Sequence, residues 1–448
     1  MAEMLAQWIG CQRVIKNAKH DELSYLLWLR KRAILSPSWR EPDPQGEGFP
    51  LDQTFSQFKT GLTPWLSLVP SQVLRNGVVL YQRAWSNHWR NPDHFRRPRR
   101  KRKWAGNSIW LTRELFRFLG PGRVELGTAA HPIGVLTFVP HREIPEPASI
   151  TVTRTRYGHW FLSYASDRLE GPELRPDGER LEALARDPDL DAKVLGIDRG
   201  VRILAACSNG TAHAMEESLR VRVQVLERRK RHYQRGVARK PKGSRRREKA
   251  QAKVSRNAAR IRNIREDFLK KTAHAIAQVA PEVTALEWLN LKGMTRKAKP
   301  KRDERTGAWQ RNGATCKTAL NRALANAGMG NLGIYLEQAL RRVGKLLVRV
   351  PAAHSSQECS ACAATDPGNR PDQATFLCKR CGHAENADLN AARVIRKRGI
   401  ALIRTAGTAG SARTGPTRSD RLKGRGEVRR SKGGKPSAAP GKRETPSF

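Results

Sequence analysis

The chain alternates between helical and strand-like spacing of its apolar residues, and the changeovers mark its segments. From Ala2 to Ile34, Leu5, Trp8, Ile9, Val14, Leu23, Leu26, Leu27 and Leu29 recur at near-helical spacing, and Ser36-Pro37 supplies the stop. A polar link rich in Pro and Gly runs from Pro37 to Pro50. Helical spacing returns from Ser71 to Trp89, where Val73, Leu74, Val78, Leu80, Tyr81, Trp85 and Trp89 form the apolar stripe of an amphipathic helix. From Ser108 to Asp167 the pattern turns to strands. Ile109–Leu111, Gly134–Val139, Ser149–Arg154 and His159–Ala165 are short β-prone runs, and Tyr157-Gly158 marks a hairpin turn, which predicts a small sheet or barrel. A Pro-, Asp- and Glu-rich link, Glu170 to Ala192, then marks a boundary.

Beyond it, Lys193 to Gly200 is an apolar strand that delivers Asp198 at its end, and Val201 to Cys207 followed by Asn209-Gly210 is its hairpin partner. Arg220 to Ala277 reads as a long charged helical hairpin, broken by Gly236 and by Pro241–Gly243. Val283 to Asn290 is a second apolar strand with one acid, Glu287. A carboxylate on such a strand is costly to bury unless it meets a cation or a partner.

Cys359, Cys362, Cys378 and Cys381 form two C-x-x-C pairs separated by fifteen residues, the spacing of a four-thiolate zinc site. The alternative is two unrelated pairs of buried or redox cysteines. Turn-formers Asp366, Pro367, Gly368, Asn369 and Pro371 lie between the pairs, and an Ala-rich helix-prone run opened by Asn386, Asp388 and Asn390 follows, ending near Arg398. Asp388 is either a plain N-terminal helix charge or a ligand fixed beside a metal clip.

Composition narrows the partner. The 448 residues hold 85 Lys and Arg against 41 Asp and Glu, a net charge of +44, so the partner is a polyanion, nucleic acid first and a membrane surface second. No apolar run of about 18 residues and no signal peptide is visible. Cys11, Cys207 and Cys316 are scattered without disulfide-like spacing, which suits a reducing cytoplasm. Two clusters are the predicted nucleic-acid contacts. One is Arg96, Arg97, Arg99, Arg100, Lys101, Arg102 and Lys103 beside Trp104; the other is Arg228, Arg229, Lys230, Arg231, Arg245, Arg246 and Arg247 on the helical hairpin. A solvated charged face is the plainer alternative for the first. The tail, 399–448, is Gly-, Ser-, Pro- and Arg-rich and is expected to be disordered.

Asp198, Glu287 and Asp388 therefore stand in three separate segments, two on strands and one at a helix start. Phosphodiester hydrolysis with two magnesium ions about 4 Å apart needs hard oxygen ligands gathered from several elements in this way. Gly196-Ile197-Asp198-Arg199-Gly200, Glu287 to Met294, and Ser355-Ser356-Gln357 through Cys381-Gly382-His383 to Asp388-Leu389-Asn390-Ala391-Ala392 resemble the split RuvC nuclease and zinc ribbon of the TnpB family. That family comprises transposon-encoded RNA-guided DNA endonucleases, and compact type V CRISPR effectors are similar to it. Lys317 to Leu340 resembles the family's helix before the ribbon, and Gly10 to Asn17 the start of its helical recognition lobe.

The resemblance implies a multidomain α/β plus β fold. Residues 1–107 would be a helical recognition lobe, 108–168 a wedge-type β-barrel and 169–192 a linker. An RNase H-like (RuvC) α/β nuclease domain, 193–353, would carry the basic hairpin, followed by the inserted zinc ribbon, 354–383, and the last RuvC segment, 384–398. Asp198, Glu287 and Asp388 would hold magnesium, the four cysteines structural zinc, and a guide RNA would direct cleavage of double-stranded DNA beside a short motif read with the wedge's help. No membrane is implied; a homodimer is compatible, and the place of action is the prokaryotic cytoplasm at the nucleoid. A compact CRISPR effector and a nuclease-dead RNA-guided repressor are the alternatives, and no acid is lost to favour the latter. Three positions depart from the family pattern. Few residues precede Gly10, where an initial β-strand is usual; Arg199 follows the first acid and is expected on the opposite face of its strand; and Trp288 replaces an acid after Glu287.

Overall fold

The computed structural model describes residues 1–32, 54–102, 107–140, 146–155, 157–165 and 176–408. The Pro37–Pro50 link, Lys103 and Trp104, the start of the acidic link and the tail beyond Thr408 lie outside the described residues. The chain divides into two compact units, Met1–Glu170 with Val223–Ile261, and Gly171–Arg222 with Arg262–Phe448.

In the first unit, α1 (Ala2–Lys31) and α2 (Ser71–Arg90) pack along their apolar stripes. Gly77 permits the approach, since a Cβ there would sit 2.7 Å from the Gln12 carbonyl. Six strands follow: β1 (Asn107–Thr112), β2 (Phe116–Gly120), β3 (Arg123–Thr128), β4 (His131–Thr137), β5 (Ser149–Arg154) and β6 (Trp160–Tyr164). They form two antiparallel sheets, ordered β1-β5-β6 and β2-β3-β4. The boundary expected at 107/108 does not separate two cores, because Trp8, Ile15 and Val78 of the helices share one with Ile109, Leu126 and Val152 of the strands. Buried Gln12 fastens the layers, donating to the carbonyls of Val73 and Trp110 and accepting from the Trp110 amide. Strands β2 and β3 escape a sequence reading because Arg117 and Glu125, paired across them at 2.9 Å, break the apolar pattern.

The second unit opens with α3 (Asp177–Ala185), which corrects the linker expected over 169–192. Leu181, Leu184 and Leu190 are buried in this unit's core. Strands β7 (Val194–Asp198), β8 (Ile203–Cys207) and β9 (Ala212–Ala214) lead into the charged helices α4 (Glu217–Ala238) and α5 (Arg245–Val279), whose Val223–Ile261 stretch belongs to the first unit and not, as expected, to the 193–353 domain, and then come β10 (Val283–Trp288) and short α6 (Leu291–Met294). A small ribbon, β11 (Lys301–Arg302) and β12 (Trp309–Gln310), precedes α7 (Ala314–Ala327) and α8 (Met329–Arg342), two helices where one was expected, divided at Gly328 with φ +69°. Strands β13 (Leu346–Pro351), β14 (Thr375–Leu377) and β15 (Ala384–Asn386) and helix α9 (Ala387–Thr408) complete it. α9 runs to Thr408, so residues 399–408, expected to belong to the disordered tail, are helical.

The five-stranded sheet has the order β13-β10-β7-β8-β9, with β10 parallel to both neighbours and β7-β8-β9 antiparallel. Leu195, Ile197 and Leu286 face α5 and α8 through Leu269, Ile276, Leu332 and Leu336, while Val194, Ala285 and Val348 share a core with Ile395 and Ile403 of α9. A Cβ at Gly196 would lie 2.1 Å from the Ala392 carbonyl, so this position must be glycine for α9 to cross β7.

Candidate active site and metal centre

The sheet order puts the two strand acids side by side. Asp198 and Glu287 each come one residue after the last paired residues of the parallel strands, Ile197 and Leu286. Asp388 occupies the first turn of α9, where the Asn386 side chain accepts from the amides of Asp388 and Leu389 at 3.0 and 3.3 Å and caps the helix. Burial, and then the charge of Asp388, push the Asp198 carboxyl up to about 6. Burial, and then the charge of Asp198, push Glu287 up to about 7. Asp198 and Glu287 thus resist ionising together, and a divalent cation would relieve that repulsion. The donor set therefore fits a hard metal such as magnesium.

Two arginines near the acids gave no sequence signal of their role. Arg370, from the loop between the cysteine pairs, places a guanidinium nitrogen 3.6 Å from Asp388 Oδ1, and its charge also reaches Asp198. Arg199 donates to the main-chain carbonyls of Glu287 and Met329 and bolts β7 to β10 and α8, and its charge opposes the effect of burial on both Asp198 and Glu287.

The four thiols converge, each Sγ within 4.8 Å of the rest, and among the described residues this is the one group of three or more His, Cys, Asp or Glu to do so. The Cys359–Cys381 and Cys362–Cys378 Sγ separations are 3.7 and 3.6 Å. Zinc–sulfur bonds of about 2.3 Å give a tetrahedron edge of roughly 3.8 Å, whereas a disulfide needs about 2.05 Å, so the set fits zinc. Both knuckles close alike, Ala363 N to Cys359 O and Gly382 N to Cys378 O, with Ala363 (φ 59°) and Gly382 (φ 73°) left-handed. The thiols titrate as a set, with the backbone amides of Cys381 and Arg380 helping to pull Cys378 down to about 6 and the neighbouring thiols pushing Cys381 up to about 12. Fully buried Asn390 of α9 donates to the Glu358 carbonyl and accepts from the Ser360 amide, gripping the chain on either side of Cys359. The clip is thereby locked to the helix that carries Asp388.

The basic clusters divide. Arg96, Arg97, Arg99, Arg100 and Arg102 are exposed, and the run lies along α1 through Asn17, which exchanges two hydrogen bonds with the Lys101 backbone. Arg100 pairs with Asp21, and Arg97 lies over Trp85. Arg228, Arg229, Arg231, Arg245 and Arg246 are exposed on the helical hairpin, and Lys230 is half-buried. Arg247 instead donates to the carbonyls of Val237 and Lys240 at 2.8 Å each, satisfying the end of α4.

Residues 180–298 match the OrfB_IS605 family, described as a probable transposase, and residues 330–395 match the Cas12f1-like TNB domain. These matches take in the elements bearing the acids and the cysteines. Over 348 residues, 76% of this chain and 77% of the relative, it is 28% identical to a putative RNA-guided DNA endonuclease, InsQ, of Escherichia coli (strain K12). It is also 28% identical over 360 residues, 78% of each chain, to a putative RNA-guided DNA endonuclease of Streptomyces pristinaespiralis. Among solved structures, its fold is similar to the cryo-EM structure of a Cas12f1-sgRNA-target DNA complex, with a TM-score of 0.52 and 13% identity over 88% of this chain and 82% of that one.

Proposed function

We propose that this protein is a transposon-associated, RNA-guided endonuclease that cuts double-stranded DNA beside a short flanking motif. The observation that supports the reading is the pairing of Asp198 and Glu287 at the ends of two parallel strands, with the charge of Asp388 reaching Asp198 from a helix start. The second unit is a RuvC-like nuclease domain with an inserted zinc ribbon, and the two small sheets of the first unit are a wedge-type barrel domain. Asp198, Glu287 and Asp388 would hold magnesium, which would supply activation of the attacking water and charge neutralisation at the leaving oxygen. Arg370 offers its guanidinium to the scissile phosphate beside Asp388, Arg199 keeps the two acid-bearing strands aligned, and the cysteine clip sets the position of α9 through Asn390. The exposed arginines of both basic clusters hold the phosphates of guide RNA and heteroduplex, and base pairing supplies most of the sequence choice.

Expression with the flanking genomic DNA tests this. A discrete copurified RNA and magnesium-dependent cutting of a matching duplex, abolished in Asp198→Ala, are the expected result. Bound RNA without cutting would instead support an RNA-guided repressor, and no defined RNA would overturn the reading. A compact CRISPR effector is favoured as the second reading by the match of residues 330–395 to the Cas12f1-like domain. A repeat array beside the gene, in place of a transposon end, would decide for it.

A further inference from the structure

The segment between β10 and α7 is built carefully and yet buries nothing. It leaves the sheet just after Glu287, and its base is pinned to α7: Lys317 Nζ donates to the Met294 carbonyl at 2.8 Å and Asn321 to those of Thr295 and Arg296 at 2.9 and 3.2 Å. Its tip is set by Asp303, whose carboxylate accepts from the amides of Arg305 and Thr306 and from Gln310. No residue from Lys299 to Arg311 is buried, so a core does not account for the ribbon, and a two-stranded hairpin is marginal without one. What it displays is Trp309, 73% exposed with the Arg302 guanidinium 5.9 Å from its ring, among Lys297, Lys299, Lys301, Arg305 and Arg311. An open indole among cations matches a base with its phosphates: the ring stacks on the base and the cations track the backbone.

We propose that the β11–β12 ribbon is a single-stranded DNA site, with Trp309 stacking on a base of the strand delivered to the carboxylates. This deepens the endonuclease reading and rests on it for the identity of the strand. Stacking explains the aromatic, which a purely electrostatic phosphate surface would not need. Sequence tolerance follows, since every base offers a π-face.

The test uses the full chain with the RNA it copurifies. A single-stranded DNA substituted with 5-bromouracil is photo-crosslinked to it and the crosslinked peptide mapped. Cleavage of the matched duplex is timed in parallel for Trp309→Ala and Trp309→Phe, whose melting temperatures should equal that of the parent because residue 309 lies outside every core. The expected result is a crosslink at Trp309 that unlabelled single-stranded DNA competes away and inorganic polyphosphate does not. Cutting should slow about tenfold in Trp309→Ala with RNA content unchanged, and Trp309→Phe should recover most of it. Crosslinks mapping elsewhere, equal competition by polyphosphate, or undiminished cutting by Trp309→Ala would overturn the site. Were the parent protein to cut no duplex, the endonuclease reading would fail by itself, and the crosslink map would still decide the stacking site.

Discussion

Glu287 and Asp198 hold their protons more tightly in the folded chain than in the unfolded one, about 7 and about 6 against ordinary values of 4.5 and 3.8. The sign follows directly. Between those limits the native state binds more protons than the unfolded state, so these groups favour folding below about pH 4 and lose that contribution as pH rises toward 7. In magnesium-free buffer, thermal stability measured across pH 4 to 8 should therefore show a fall that Glu287→Gln reduces, by on the order of 3 kcal/mol at pH 8. Added magnesium should flatten the parent's profile and leave the variant's unchanged. Arg370 makes a second prediction: its removal takes a cation from the phosphate's place, and Arg370→Ala should cut about 100-fold more slowly with RNA binding intact, as timed under single turnover. The cysteine cluster and the strands that carry Asp198 and Glu287 were legible in the sequence because an acid ending an apolar strand, and paired C-x-x-C spacing, are local signals. Arg370 and Arg199 were not, since two guanidiniums among 85 cations acquire their roles only when distant segments meet.

At the level of elements, the clip and α9 form one device. The Cys359–Cys381 and Cys362–Cys378 spacing should hold one zinc per chain by elemental analysis, and Cys378→Ser should lose it together with cutting, because Asn390 ties the first knuckle to the helix bearing Asp388. Gly196 is equally exacting. Gly196→Ala pushes a methyl into the Ala392 carbonyl at 2.1 Å, and denaturant unfolding should register a loss above about 3 kcal/mol. Strands β7 and β10 were readable as unbroken apolar runs, as expected of strands covered on both faces. Helix α3 was hidden among Pro, Asp and Glu, because its burial rests on Leu181 and Leu184 alone within the helix. The two-helix break at Gly328 was hidden for another reason: the apolar period continues through it, and only the left-handed glycine divides it.

For the whole molecule, a net charge of +44 on 448 residues suits a polyanionic partner. The shared core of helices and strands in the first unit means that a cut at 107/108 would expose apolar surface on both sides, which the boundary implied by the resemblance did not foresee. No described helix is long and apolar enough to cross a membrane. The most direct test of the central claim is the cutting of a duplex matched to the copurified RNA, against one mismatched throughout, with and without magnesium. Cutting of the matched duplex alone, dependent on magnesium and absent in Asp198→Ala, is the predicted result. Equal cutting of both duplexes, or cutting that survives Asp198→Ala, would contradict an RNA-guided site built on these three acids.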